Sequence, residues 1–117
     1  MRLHISIRLP SLTNLHGMDW RKLTRLKNQQ KAATKLCLLK ATNNEGQIKP
    51  APPVTVTLTR VGPRRLDDDN LAAAFKFMRD TIAAFLGLDD GSPLYIWRYA
   101  QRVGKYGVDV EITGITQ

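Results

Sequence analysis

The chain opens on an alternation: Leu3, Ile5, Ile7 and Leu9 are separated by His4, Ser6 and Arg8. Successive side chains of an extended backbone point to opposite sides, so this period predicts a strand with one buried face. Pro10, which has no N–H for a ladder, closes the run. Ser11 to Met18 reads as a loop, and Asp19 as the N-cap of a helix from about Trp20 to Ala41. Leu23, Leu26, Ala33, Leu36 and Leu39 offer that helix an apolar stripe. Thr42 to Pro53 is a polar connector rich in Asn, Gly and Pro. A second strand follows, with Val54, Val56 and Leu58 on one side and Thr55, Thr57 and Thr59 on the other.

Helical spacing returns between Asn70 and Leu86, where Leu71, Phe75, Met78, Ile82 and Phe85 recur at intervals of four and three residues and Gly87 supplies a C-terminal stop. With no Pro or Gly inside, this segment predicts one unbroken helix of roughly 25 Å. Ala72, Ala73, Ala74, Phe77, Ala83 and Ala84 make the rest of its surface small or apolar, so it is expected to be central or to lie at a subunit interface. Leu94 to Val103 reads as a strand with Tyr95, Trp97 and Tyr99 on one face, Gly104 to Gly107 as a hairpin turn, and Val108, Val110 and Ile112 as the apolar side of a last strand. Strand, helix, strand, helix, strand, strand in 117 residues gives one small α+β domain, a mixed sheet of about four strands packed with two main helices.

Charge narrows the function. The formal charge is +8 and the pI about 10.1, which favours a polyanionic partner because each Lys or Arg set against a phosphate releases condensed counterions. Nucleic acid leads. A membrane is disfavoured: there is no apolar run of roughly 20 residues and no signal-peptide core, so a soluble, cytoplasmic protein is expected. The single cysteine, Cys37, forms no internal disulfide and is expected to be a buried thiol. The first helix carries Arg21, Lys22, Arg25, Lys27, Lys31, Lys35 and Lys40 with no acidic residue. Such a run is often only a solvated face, but the lack of any compensating acid points toward DNA contact.

Six of the ten acidic residues, Asp67, Asp68, Asp69, Asp80, Asp89 and Asp90, fall within one stretch. Adjacent aspartates repel, and a hard divalent cation with oxygen ligands relieves the repulsion. In an extended segment Asp67 and Asp69 share a side while Asp68 points away or caps the next helix. The same residues could instead merely complement the positive end of that helix. An EF-hand is excluded because Ala72 stands where its glycine is required. His4 and His16 are isolated in sequence and are assigned structural roles.

The run Arg65-Leu66-Asp67-Asp68-Asp69-Asn70-Leu71, followed by a helix and then Leu88-Asp89-Asp90, resembles the signature of the RusA family of Holliday junction resolvases, especially its phage-borne members. Arg64 ahead of it, Leu9-Pro10-Ser11 near the start and Gly107 to Ile112 near the end also fit, so the resemblance spans nearly the whole chain. It implies a bacterial or phage-encoded homodimeric nuclease dependent on Mg²⁺, with Mn²⁺ as a substitute and no small-molecule cofactor. Its substrate would be a four-way junction or other branched DNA in recombination or repair. Asp67, Asp69 and Asp90 stand at the family's essential aspartates, with Asn70 and Asp89 in support. Family members often carry a lysine early in this helix, where Ala72, Ala73 and Ala74 stand here; Lys76, one turn on, is the substitute.

An unbroken helix would hold Asp69 and Asp90 of one chain too far apart to share an ion, so the expectation is a two-fold dimer with antiparallel helices and composite sites. Arg64, Arg65, Lys76, Arg21, Lys22, Arg25, Lys27 and Lys31 would contact phosphates. The alternative is a non-catalytic basic nucleic-acid-binding module whose aspartates only cap a helix.

Overall fold

The computed structural model describes residues 1–11 and 19–115. Apart from Ser11, the expected loop before Asp19 lies outside them, and so does His16. The described elements are β1 (Arg2–Ile5), α1 (Trp20–Asn43), β2 (Val54–Gly62), α2 (Asp68–Ala74), α3 (Lys76–Leu86), β3 (Tyr95–Val103) and β4 (Gly107–Gly114). The strands form one sheet in the order β1-β4-β2-β3, with β2 and β3 parallel and the other pairs antiparallel. This is the expected α+β domain with a mixed four-stranded sheet. Ile5, Val56, Leu58, Val108, Val110 and Ile112 from the strands pack with Leu38, Phe75, Met78 and Ile82 from the helices. The opposite face, with Arg2, His4, Thr55, Thr57, Thr59 and Arg98, is open.

Several expectations change, each for a tertiary reason. The first strand ends at Ile5 rather than Leu9, because its partner β4 begins at Gly107, just beyond the Ile5–Val108 pair. Leu9 is nonetheless buried. Helix α1 runs to Asn43, and Asp19 caps it as expected, its Oδ1 accepting the Arg21 N–H at 3.1 Å. Its buried stripe, however, is Gln30, Thr34, Leu38 and Ala41, while Leu36 and Leu39 are exposed. Thr34 can be buried because its hydroxyl donates within the helix to the Gln30 carbonyl at 2.7 Å.

Gly104 to Gly107 does not close a hairpin. β3 and β4 lie on opposite sides of β2, so the connection crosses over the end of that strand. The Gly104 N–H donates to the Gly62 carbonyl at 3.0 Å, and a Cβ on Gly104 would meet Val61 Cγ1 at 3.0 Å. The chain can turn this closely over β2 because position 104 has no side chain.

The second predicted helix is broken at Phe75, giving three helices rather than two. Phe75 sits at φ −89°, ψ 4°, is fully buried, and stacks on Tyr99 of β3 with centroids 5.8 Å apart. The break follows from where the two ends are tied. Gln101 of β3 exchanges hydrogen bonds with the backbone of Leu66, just before α2, at 2.7 and 2.8 Å. Trp97 of β3 donates its indole N–H to the Asp90 carbonyl, just after α3, at 3.0 Å. Four residues of strand separate these anchors by about 13 Å, whereas a straight helix from Asp68 to Leu86 would span about 28 Å. Between these anchors the helical segment is interrupted, at Phe75.

Candidate metal centre and nucleic-acid interface

Asp67 occupies the N-cap position of α2, one residue earlier than the expected role of Asp68, and its carbonyl accepts the Leu71 N–H at 2.8 Å. Its side chain makes no capping bond to the backbone. Instead Oδ2 accepts from the Asn70 side-chain amide at 3.0 Å, which holds one carboxylate oxygen at the start of the helix. Asp68 and Asp69 form the first turn, and all three aspartates are exposed. Exposed carboxylates with free oxygen lone pairs are chemically suited to a hard cation.

The loop that delivers them is set by a residue the sequence reading passed over. Arg60 lies in phase with Val54, Val56 and Leu58 on the covered face of β2 and is only 6% exposed. Its Nε donates to the Leu9 carbonyl at 2.8 Å and its Nη1 to the Arg64 carbonyl at 2.7 Å. Among the described residues no carboxylate pairs with it. Burial pulls the guanidinium pKa below its ordinary value, nearby Tyr106 opposes that, and Arg8 adds to it. Gly62 makes room, since a Cβ there would sit 3.0 Å from the guanidinium. Arg60 thus ties the stretch after β1 to the turn that presents the exposed side chains of Arg64 and Arg65. The signal was available: an arginine on the apolar phase of a strand has to find acceptors inside.

Asp90 is half-buried, and Asp89 beside it is exposed. Together with Asp80, Gly87 and Lys31 they line an open groove between α1 and the end of α3, with a cavity volume of about 440 Å³. Gly87, at φ 92°, ends α3 as expected, and the buried Tyr95 hydroxyl closes the turn by donating to the Leu88 carbonyl at 3.0 Å. Burial raises the Tyr95 pKa, so the hydroxyl stays a donor.

The three candidate metal ligands do not meet within one chain. Leu66, next to Asp67, and Asp90 are tied to β3 at points about 13 Å apart. Among the described residues, no three His, Cys, Asp or Glu side chains come together to hold a metal ion. The donor chemistry fits Mg²⁺, and the single-chain arrangement does not. The unbroken-helix reason for separating Asp69 from Asp90 is therefore replaced by the spacing of their anchors on β3.

Of the basic residues, Arg21, Lys22, Arg25 and Lys27 are exposed along the first turns of α1, while Lys31 is half-buried in the groove beside Asp80, Asp89 and Asp90. Lys76 is exposed at the start of α3. His4 is structural in the expected sense: its Nδ1 bonds Asp109 at 2.6 Å, and Arg102 donates to the same carboxylate at 2.8 Å. Cys37 is half-buried rather than buried, and desolvation raises its thiol pKa. No helix among the described residues is long and apolar enough to cross a membrane. Compared with known proteins, the chain matches no family model, no curated protein and no solved structure.

Proposed function

We propose that this protein is a homodimeric, Mg²⁺-dependent endonuclease acting on four-way junctions or other branched DNA. The observation that carries this reading is the position of Asp67, Asp69 and Asp90 at the two ends of one helical segment that is broken at Phe75. Both ends are fastened to the same strand, in a domain whose other exposed helix is basic and carries no acid. In a pure binding module Asp67, Asp69 and the half-buried Asp90 would repel the phosphate ligand, and complementing the helix end accounts only for those at the start of α2.

Phosphodiester hydrolysis needs an activated water and a stabilised leaving oxygen, and Mg²⁺ held by carboxylates supplies both when bound. Asp67 and Asp69 of one protomer and Asp90 of the other would hold it. The protein's own contribution is positional. Asn70 orients one Asp67 oxygen, Arg60 fixes the turn that presents Arg64 and Arg65, and the Trp97 indole fixes the backbone of Asp90. Arg64, Arg65, Lys76 and the exposed basic side chains of α1 contact phosphates and register branched DNA by shape rather than sequence.

The test is incubation with a synthetic four-way junction and a matching linear duplex, in Mg²⁺ or EDTA, alongside Asp69→Asn. Paired cuts in the junction that need both Mg²⁺ and Asp69 are expected. Equal binding in Mg²⁺ and EDTA with no cutting of any branched substrate would favour the non-catalytic module instead.

A further inference from the structure

Helix α1 begins as an arm. From Trp20 to Gln29 every residue is exposed except the half-buried Leu26, so about 15 Å of helix stands clear of the sheet and of α3. Its first turn is well held. The Asp19 carboxylate accepts the Arg21 N–H, the Asp19 carbonyl accepts from Lys22 and Leu23 at 2.9 and 3.1 Å, and the Thr24 hydroxyl donates to the Trp20 carbonyl at 2.8 Å. At the tip Trp20 is 68% exposed, and the Arg21 guanidinium lies 5.2 Å from its ring centroid. A single exposed apolar residue is ordinary. A firmly held indole set among cations is a platform on which a nucleic-acid base can stack. We infer that Trp20 stacks on an unpaired base, so that α1 is a holding arm for a single-stranded segment of nucleic acid at a branch point.

The surroundings of the ring select this occupant. Arg21, Lys22, Arg25 and Lys27 are all exposed, and no acidic residue occurs between Asp19 and Glu45. None of the ion pairs among the described residues uses these cations. Nucleic acid supplies both missing partners, phosphates for the cations and a flat base for the indole. In a paired duplex the base faces are already stacked on one another, so only an unpaired base is open to the ring. A membrane is the other anionic surface that takes Trp together with cations, and it needs a continuous apolar face. Lys27 interrupts that face: seven residues after Trp20 and four after Leu23, it projects between them.

The same face of the helix leads on to the acidic groove. Lys31 lies within about 20° of the direction of Trp20 and roughly 16 Å further along the axis. With Lys27 between them, the ring and two ammonium groups form one line down α1. Lys31 lines the groove that it shares with Asp80, Asp89 and Asp90. A strand stacked on Trp20 that follows these lysines therefore arrives at the carboxylates beyond the end of α3. This routing rests on the nuclease reading, whereas the stacking does not.

The test is run in EDTA, with a labelled single-stranded oligothymidylate and a blunt duplex of equal length. The chain has two tryptophans, and Trp97 is half-buried with its indole N–H already bonded. Stacking of Trp20 should quench tryptophan emission when the single strand binds, and Trp20→Leu should abolish that quench. The same variant should weaken single-strand binding roughly 5- to 150-fold, and Trp20→Phe should recover most of the loss. Salt dependence, which the phosphates set, should be the same in each protein, and duplex affinity should not change. A quench that survives Trp20→Leu, or equal losses on single strand and duplex, would overturn the inference. So would a blue shift of Trp20 emission on vesicles of anionic phospholipid with no quench by DNA, which would assign the arm to a membrane. Quenching and weakened Trp20→Leu binding, without cleavage of any branched substrate in Mg²⁺, would leave the stacking and remove the nuclease reading. Junction cleavage with Trp20→Leu binding as the unaltered chain does would do the reverse.

Discussion

Phe75→Ala separates two explanations of the break between α2 and α3. If local preference broke the helix, alanine, the strongest helix former, would mend it and stabilise the chain by a few tenths of a kcal/mol. If packing broke it, the loss is large. The ring is fully buried and stacked on Tyr99 at 5.8 Å with planes 16° apart. Truncating a buried Phe to Ala costs about 3–5 kcal/mol in transfer and cavity terms. The stacked pair contributes about 0.5–1.5 kcal/mol of that, which Phe75→Leu would lose while keeping most of the volume. Urea unfolding followed by circular dichroism on Phe75→Ala, Phe75→Leu, Tyr99→Leu and the double Leu variant measures both quantities. Tyr99→Phe serves as the control for the bond that Arg79 donates to the Tyr99 hydroxyl at 2.8 Å. A cost below about 1 kcal/mol for Phe75→Ala, or no coupling between positions 75 and 99, would refute the packing origin of the break.

Three further outcomes follow from the same structure. Gln30 is fully buried, and neither atom of its side-chain amide has a hydrogen-bond partner; Gln30→Met should raise stability by about 1–2 kcal/mol in urea unfolding, and a loss would mean that the amide is satisfied in solution. Arg60→Met strands two acceptors and should cost about 2–4 kcal/mol, with Arg60→Lys recovering little because one ammonium does not reproduce the planar fork; full recovery by Lys would contradict the two-carbonyl role. His4, by its hydrogen bond, holds the Asp109 carboxyl below the usual aspartate range, with Arg102 adding to the effect against a smaller opposing contribution from burial. Its stabilisation is therefore present above the unfolded-state pKa and lost as pH falls through the lower folded one. With side chains 37–59% exposed in this trio, Asp109→Asn should cost no more than about 1 kcal/mol at pH 7. That difference should vanish in acid, and thermal melts across pH would show it.

How much of this was legible in the sequence depends on whether a feature is local. Periodicity located the strands and the helical stretches, the caps at Asp19 and Gly87 were readable from residue type, and the acidic run stood out against a basic chain. What was not legible came from partners distant in sequence. The break at Phe75 is imposed by anchors on β3. The crossing at Gly104 depends on β2 lying between β3 and β4, and strand order has no one-dimensional signature. The early end of β1 reflects where β4 begins. In α1 the leucines suggested one stripe while packing selected Gln30 and Thr34, a choice made by the shape of the neighbouring α3 and β1. Arg60 is the exception: its phase with Val54, Val56 and Leu58 marked it as buried, and a buried guanidinium requires acceptors.

The most direct measurement mixes two inactive proteins. Asp69→Asn and Asp90→Asn should each fail to cut a four-way junction in Mg²⁺. If carboxylates from both copies form each site, a mixed dimer carries one site with Asp67, Asp69 and Asp90 all intact. After subunit exchange, verified by mass, nicking of the junction in a single strand per dimer is expected to return. No recovered nicking in a verified mixed dimer would contradict a site shared between two copies of this chain.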